Sequence, residues 1–260
     1  MNLRIKNPYL LRACLKLREE SWFGAEFFLS FVGIFIKSCL YYLVYRAVFL
    51  HSVQVDSHEI TLYYILVSMA ALAVEPAQFV AYEHMEDINS GAIIPTLLRP
   101  LNYPLSSYLN SFLSALARLA FNLVLMLGAS RLLGRPMTPS ALLLGMVSVL
   151  LGFTILYLIQ AVIGCFAVWF HDITRFRDVI YSLLMMLGGR LLPSDLLFSG
   201  LKTIVYYTPL PYVYDIPVKV LMGSASWQGM GLQLLWVLLL GAVYLWLFQT
   251  QVRHQLEYGG

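Results

Sequence analysis

No Asp, Glu, Lys or Arg interrupts the chain between Pro139 and Phe170. That run is well beyond the about 20 apolar residues that carry an α-helix across a bilayer. In hydrocarbon every backbone N–H and C=O has to be satisfied within the protein, and a helix does this through its own ladder. Comparable apolar runs recur along the chain, at 24–50, 60–81, 108–133, from 179 onward and at 229–249. Six crossings are therefore expected. The composition agrees, with 60% hydrophobic and 12% charged residues and a mean hydropathy of +0.73. A soluble domain carries roughly twice that charged share. The fold class read from the sequence is an all-α polytopic membrane protein.

What surrounds the crossings sets the orientation. Residues 8–23, PYLLRACLKLREESWF, place Arg12, Lys16, Glu19 and Glu20 on one helical face and Leu10, Leu11, Cys14 and Leu17 on the other. This pattern predicts an amphipathic helix lying in the membrane interface. The charged region before the first apolar run is too long for a cleaved signal sequence. With the N-terminus inside, nine basic residues fall on cytoplasmic segments (Arg4, Lys6, Arg12, Lys16, Arg18, Arg99, Arg175, Arg177, Arg253) and five on the other side (Arg131, Arg135, Arg190, Lys202, Lys219). The excess gives both termini inside. A formal net charge of +3 is too small to point to nucleic acid. Cys14, Cys39 and Cys165 are far apart, form no CxxC and read as buried apolar residues.

Residues 84–104, HMEDINSGAIIPTLLRPLNYP, break the pattern between the second and third crossings. Glu86, Asp87 and Asn89 favour a helix start, while Pro100 and Pro104 end any helix there. The apolar middle, Ile93, Ile94, Leu97 and Leu98, needs a groove on another protein rather than water. A lipid-surface helix would carry more Lys and Arg. With Ser90, Gly91 and Arg99, these residues form the candidate docking segment.

A second irregular stretch covers 188–228. Gly188, Gly189, Arg190, Pro193, Asp195, Pro209, Pro211 and Pro217 break an otherwise apolar run. Non-helical backbone at membrane depth survives only where protein buries it or water lines it, so one or two short re-entrant helices are expected between the fifth and sixth crossings. An interfacial loop anchored by tyrosines is the alternative. Lys37, Glu75 and Arg118 fall inside crossings. Such charges face a partner or water, which leaves a translocation pathway or a Glu75–Arg118 ion pair open. His51, Asp56, His58 and Glu59 lack the setting of a metal site, and Leu62 excludes an HExxH motif. No metal site is expected.

The run DINSGAIIPTLLRPLNYPL resembles the cytoplasmic segment of ABC-2-type permeases, through Ile88, Gly91, Leu97, Leu98, Pro100 and Leu101. Gly189, Pro193, Asp195 and Leu196, followed by Pro209, Pro211, Tyr214, Pro217 and Gly223, are similar to the same family's element after the fifth crossing. Phe198, Ser199 and Gly200 stand where the family often has a second proline. The resemblance implies the membrane subunit of an ATP-driven exporter in a bacterial cytoplasmic membrane. It makes 84–104 the coupling segment on a separate ATPase, with two ATPase subunits carrying ATP and Mg, and a second permease, identical or related, completing the path. The chain has no GxxxxGK[ST], so ATP energy would have to come from a partner. A hydrophobic or amphipathic cargo is expected from the apolar walls. A secondary transporter would show paired broken helices, and an intramembrane enzyme would show converging titratable groups.

Overall fold

The computed structural model describes residues 57–97, 102–132, 134, 136–224 and 227–252, with isolated helical positions at 32, 33, 36, 39, 40, 43 and 47. The expected interfacial helix at 8–23, most of the first crossing and Lys37 lie outside the described residues. All described regular structure is helical: α1 (Ser57–Val74), α2 (Val80–Asn89), α3 (Ile94–Leu97), α4 (Tyr103–Leu132), α5 (Pro139–Cys165), α6 (Thr174–Leu187), α7 (Ser199–Tyr206), α8 (Asp215–Leu221) and α9 (Trp227–Leu247).

Four helices among the described residues are long and apolar enough to cross a membrane: Glu59–Asn89, Tyr103–Leu132, Pro139–Val168 and Trp227–Val252. The first joins α1 and α2 through a 3-10 turn at Glu75–Phe79. Pro76 supplies no N–H and crowds the preceding turn, so the ladder tightens there instead of breaking. This helix is central, with 78% of its apolar window buried against 22% for the last span. Apolar residues all round α1 suit such a position.

α5 packs on α9, α8, α2 and α1, while α4 packs mainly on α1. The buried face of α4 is small and polar, including Ser111, Ser114, Ala115, Asn122 and Ser130. Leu105, Phe121, Val124 and Leu132 point outward. Small residues inside and large ones outside is what close helix contact in lipid favours. Tyr108, Phe112, Phe153 and Tyr157 fill the α4–α5 seam, and the Tyr108 hydroxyl lies 3.0 Å from Thr154 Oγ1.

The fifth apolar stretch departs from the expected full crossing. α6 has 14 residues, about 21 Å at 1.5 Å per residue, against a hydrocarbon core of about 30 Å. It stops at Gly188, and the chain continues through a 3-10 turn at Ser194–Leu196, then α7 and α8. α8 packs against α5 and α1 at the end of the bundle away from α2. Gln233 on α9 is fully buried there. Its amide accepts from the Ser148 hydroxyl at 2.8 Å and donates to the carbonyls of Ser148 and Tyr212 at 3.1 and 2.9 Å. One side chain thus satisfies backbone from α5 and from the turn before α8, as buried polar groups require.

Candidate functional site

α2 and α3 form the foot of the molecule. Glu86, Asp87 and Asn89, expected at a helix start, instead occupy the last turn of α2. The cause is continuity: the helix of the second crossing propagates outward until Ser90 and Gly91 stop it. The Ser90 N–H and hydroxyl both donate to the Glu86 carbonyl, at 2.9 and 2.6 Å. Gly91 turns the chain with φ of 71°, a left-handed conformation that glycine takes without a Cβ penalty. The Ile93 N–H then closes onto the Asp87 carbonyl at 3.1 Å. Pro104 lies in the first turn of α4 and so opens that helix, where its missing N–H loses nothing.

The foot divides its apolar residues in a way the sequence did not separate. Ile93 is fully buried within this chain, so it anchors the turn and is not available to dock a partner. Ile94 is 43% exposed, and Glu86, Ser90, Ala92 and Pro95 are exposed beside it. Leu97 ends α3. Leu98, Arg99 and Pro100 lie outside the described residues.

Asp87 faces inward. The Tyr103 hydroxyl donates to its carboxylate at 2.6 Å, joining α2 to the first turn of α4. The Tyr103 ring stacks on Phe248 at 5.5 Å between centroids and meets His84 edge-on at 5.3 Å. His84 is buried, with Nδ1 2.8 Å from the Val80 carbonyl and Nε2 2.9 Å from the Tyr244 hydroxyl. A carbonyl only accepts, so Nδ1 carries the proton and Tyr244 donates to Nε2. Phe248 begins a π-helical turn, Phe248–Val252, that finishes the last span. Foot, α4 and the last helix therefore meet in one aromatic cluster.

Beside it lies the loop between α5 and α6. Asn89 donates to the His171 carbonyl at 2.8 Å, and Trp169, Phe170 and Phe176 are 43%, 61% and 52% exposed. Asp172 receives the Thr174 N–H at 2.8 Å. The Thr174 hydroxyl and N–H hold the Asp172 carboxyl below its usual range. Arg177, read from the sequence only as a cytoplasmic charge, is 7% exposed. It donates to Gln160 Oε1 at 3.3 Å and to the Gln78 carbonyl, and lies 4.7 Å over the rings of both Tyr82 and Tyr181. It braces α6 against α2 and α5.

Higher in the bundle, Glu75 and Arg118 are brought together as an ion pair, with side chains 35% and 26% exposed. At the far end, Asp215 is fully buried. Its carboxylate accepts from Tyr63 at 2.8 Å, the Ser194 hydroxyl at 2.6 Å and Lys219 at 2.9 Å. Tyr63 also contacts the Gly189 carbonyl at 2.7 Å, and the Asp215 N–H donates to the Gly188 carbonyl at 3.1 Å. Arg190 donates to the Tyr181 hydroxyl at 3.1 Å. Pro193 precedes the 3-10 turn, Pro209 and Pro211 lie between α7 and α8, and Pro217 sits in the first turn of α8. Asp195 bridges Lys202 and Lys219, each at 2.7 Å. Burial alone would raise its carboxyl, but the two ammonium groups hold it below the usual range. Sequence reading did not single out Asp215, because nothing local marks a carboxylate whose partners lie on other elements.

Among the described residues no group of three His, Cys, Asp or Glu could hold a metal ion. The sequence model of a family described as ABC-2 family transporter protein matches residues 34–256. No curated protein matches the chain.

Proposed function

We propose a function from a fixed premise: this chain belongs to the ABC-2 family of transporter proteins. It is a multi-pass membrane subunit of an ABC transporter, a class that works with ABC ATPase subunits. In the proposed reading the transporter is an exporter in a bacterial cytoplasmic membrane. Two ATPase subunits burn ATP with Mg, and a second permease, identical or related, completes the path. In the same reading α6 together with the residues that follow it forms the fifth of six crossings, both termini lie inside, α2, α3 and the α5–α6 loop face the cytoplasm, and α7 and α8 form a re-entrant cap outside.

The observation that carries this reading is the split at the foot. Ile93 is sunk into the chain while Ile94, Pro95 and the aromatics Trp169, Phe170 and Phe176 stand out beside it. A small apolar surface held by a rigid turn suits a cleft on another protein. Closure of the ATPase would move this foot. Asp87–Tyr103 and His84–Tyr244 would carry the movement into α4 and the last helix. The Glu75–Arg118 pair, partly exposed at membrane depth, is proposed to face the slit between permeases, since charges there seek protein or water. The cargo is proposed to be hydrophobic or amphipathic.

Two substitutions test the docking. Ile94→Asp is expected to lower co-purification with the ATPase at least tenfold while the chain stays membrane-inserted and folded. Ile93→Asp is expected to destabilise the chain itself. Full ATPase recovery and full export with Ile94→Asp would remove the docking assignment.

A further inference from the structure

The residues of α7, SGLKTIVY, divide its circumference into three sectors, since successive side chains on a helix are turned by about 100°. Leu201 and Val205 form the first, which faces the protein: Val205 is buried and Leu201 half-buried. Ser199, Lys202 and Thr203 form the second, and all three are polar and exposed. Gly200, Ile204 and Tyr207, the residue that directly follows the helix, form the third. This sector is exposed as well, with Ile204 at 67% and Tyr207 at 68%, yet it carries no charge. A helix on a water-bathed surface needs only two sectors, one for protein and one for water. A third that is apolar and uncovered suits a helix lying along a bilayer surface.

Depth points the same way. α6 accounts for about 21 Å of a hydrocarbon core about 30 Å thick. In the proposed six-crossing topology, the remaining stretch of about 9 Å falls to the residues after Gly188. α7 then lies where hydrocarbon gives way to headgroups. Trp227, also exposed, opens the last span at this same end, and tryptophan and tyrosine are enriched at that level. The helix is held in place from its other sides. Lys202 pairs with Asp195 at 2.7 Å, and the Tyr212 hydroxyl donates to the Tyr206 carbonyl at 2.7 Å. α8 is the contrast: Asp215, Ile216, Pro217, Val218, Val220 and Leu221 are all buried, which leaves it little face to offer lipid.

We infer that α7 is an interfacial anchor, with acyl chains of the outer leaflet covering Gly200, Ile204 and Tyr207 while Ser199, Lys202 and Thr203 face water. Lipid is the occupant rather than a second copy of the chain, because a stable protein contact takes about 20–30 residues a side. The apolar sector is one narrow strip with a glycine in it. The inference rests on the proposed topology for the leaflet that is touched.

The test places a nitroxide on Gly200→Cys, Thr203→Cys or Ile204→Cys in the full chain with its native cysteines replaced. The protein is reconstituted in phosphatidylcholine–phosphatidylglycerol nanodiscs, and power-saturation EPR reads collisions with oxygen and with Ni-EDDA. A Cβ at Gly200 meets nothing within 4 Å, so Gly200→Cys reports on the apolar sector even should Ile204→Cys fail to fold. Oxygen collisions at Gly200→Cys and Ile204→Cys are expected to exceed those at Thr203→Cys at least threefold, with the order for Ni-EDDA reversed. Dominant Ni-EDDA collisions at Gly200→Cys and Ile204→Cys would put that face in water and overturn the inference. Few collisions with either reagent there would put it against protein, a second copy included, and overturn it equally. Nanodiscs open both faces of the membrane to the reagents, so an inverted topology would keep the anchor and change only its leaflet. That inversion is read separately, from the side on which Ser199→Cys is labelled.

Discussion

Gly164 and His84 occupy one space between α5 and α2. A Cβ on Gly164 would lie 2.6 Å from the His84 Cβ, a separation that real Cβ atoms do not adopt. Glycine here is a packing requirement, because it lets the two helix backbones approach while His84 keeps its bonds to Val80 and Tyr244. Gly164→Val is expected to destabilise the protein by about 1–3 kcal/mol, the usual range for overpacking a tight core. Thermal unfolding in detergent reads this directly. The Tyr103 hydroxyl makes a different contribution. Tyr103→Phe removes one donor to a half-buried carboxylate, a loss of about 1.5–3 kcal/mol for a charged partner, while the ring stack on Phe248 remains. Asp87→Asn should lose less than Tyr103→Phe, since an amide oxygen still accepts. The pair should be non-additive in a double-mutant cycle.

At the scale of elements, the foot depends on the turn at Gly91. Proline needs φ near −65°, whereas Gly91 stands at 71° and donates its N–H to the Ile88 carbonyl at 3.2 Å. Gly91→Pro is expected to abolish ATP-dependent export in reconstituted vesicles while membrane insertion persists. Arg99→Glu, in the segment read from the sequence as docking on the ATPase, should act the same way. Normal export by both variants would sink the coupling role of 84–104. The long helices were legible because apolar runs contrast with their flanks over whole bilayer lengths. The spans Pro139–Val168 and Trp227–Val252 lie close to the runs read at 139–170 and 229–249. The foot was less legible. Its carboxylates looked like a helix start because local preference favours them there. What decided their place was the momentum of an uninterrupted helix and a tyrosine hydroxyl on another element. Arg177 and Asp215 were missed for the same reason, since each is defined by partners distant in sequence.

For the whole molecule, the proposed topology predicts which end a reagent outside the cell can reach. Ser90 is exposed on the foot, and Ser199 is exposed at the start of α7. In intact cells, in a background with the native cysteines replaced, an impermeant thiol reagent is expected to label Ser199→Cys from outside. It should label Ser90→Cys only after permeabilisation. The reverse pattern would invert the proposed orientation and with it the docking face. The two ends differ in character. The foot closes on an aromatic cluster, while the far end is fastened by Asp215 and the donors that Tyr63, Ser194 and Lys219 supply.

The 3-10 turn at Pro76 divides the central span into unequal arms. α1 has 18 residues and α2 has 10, about 27 Å and about 15 Å at 1.5 Å per residue. Were the rod to swing about that notch as a fulcrum, a shift at Asn89 would reappear at Ser57 reversed in sense and nearly doubled in reach. A small stroke at the foot would thus become a larger sweep at the opposite end, set by nothing more than where one proline falls.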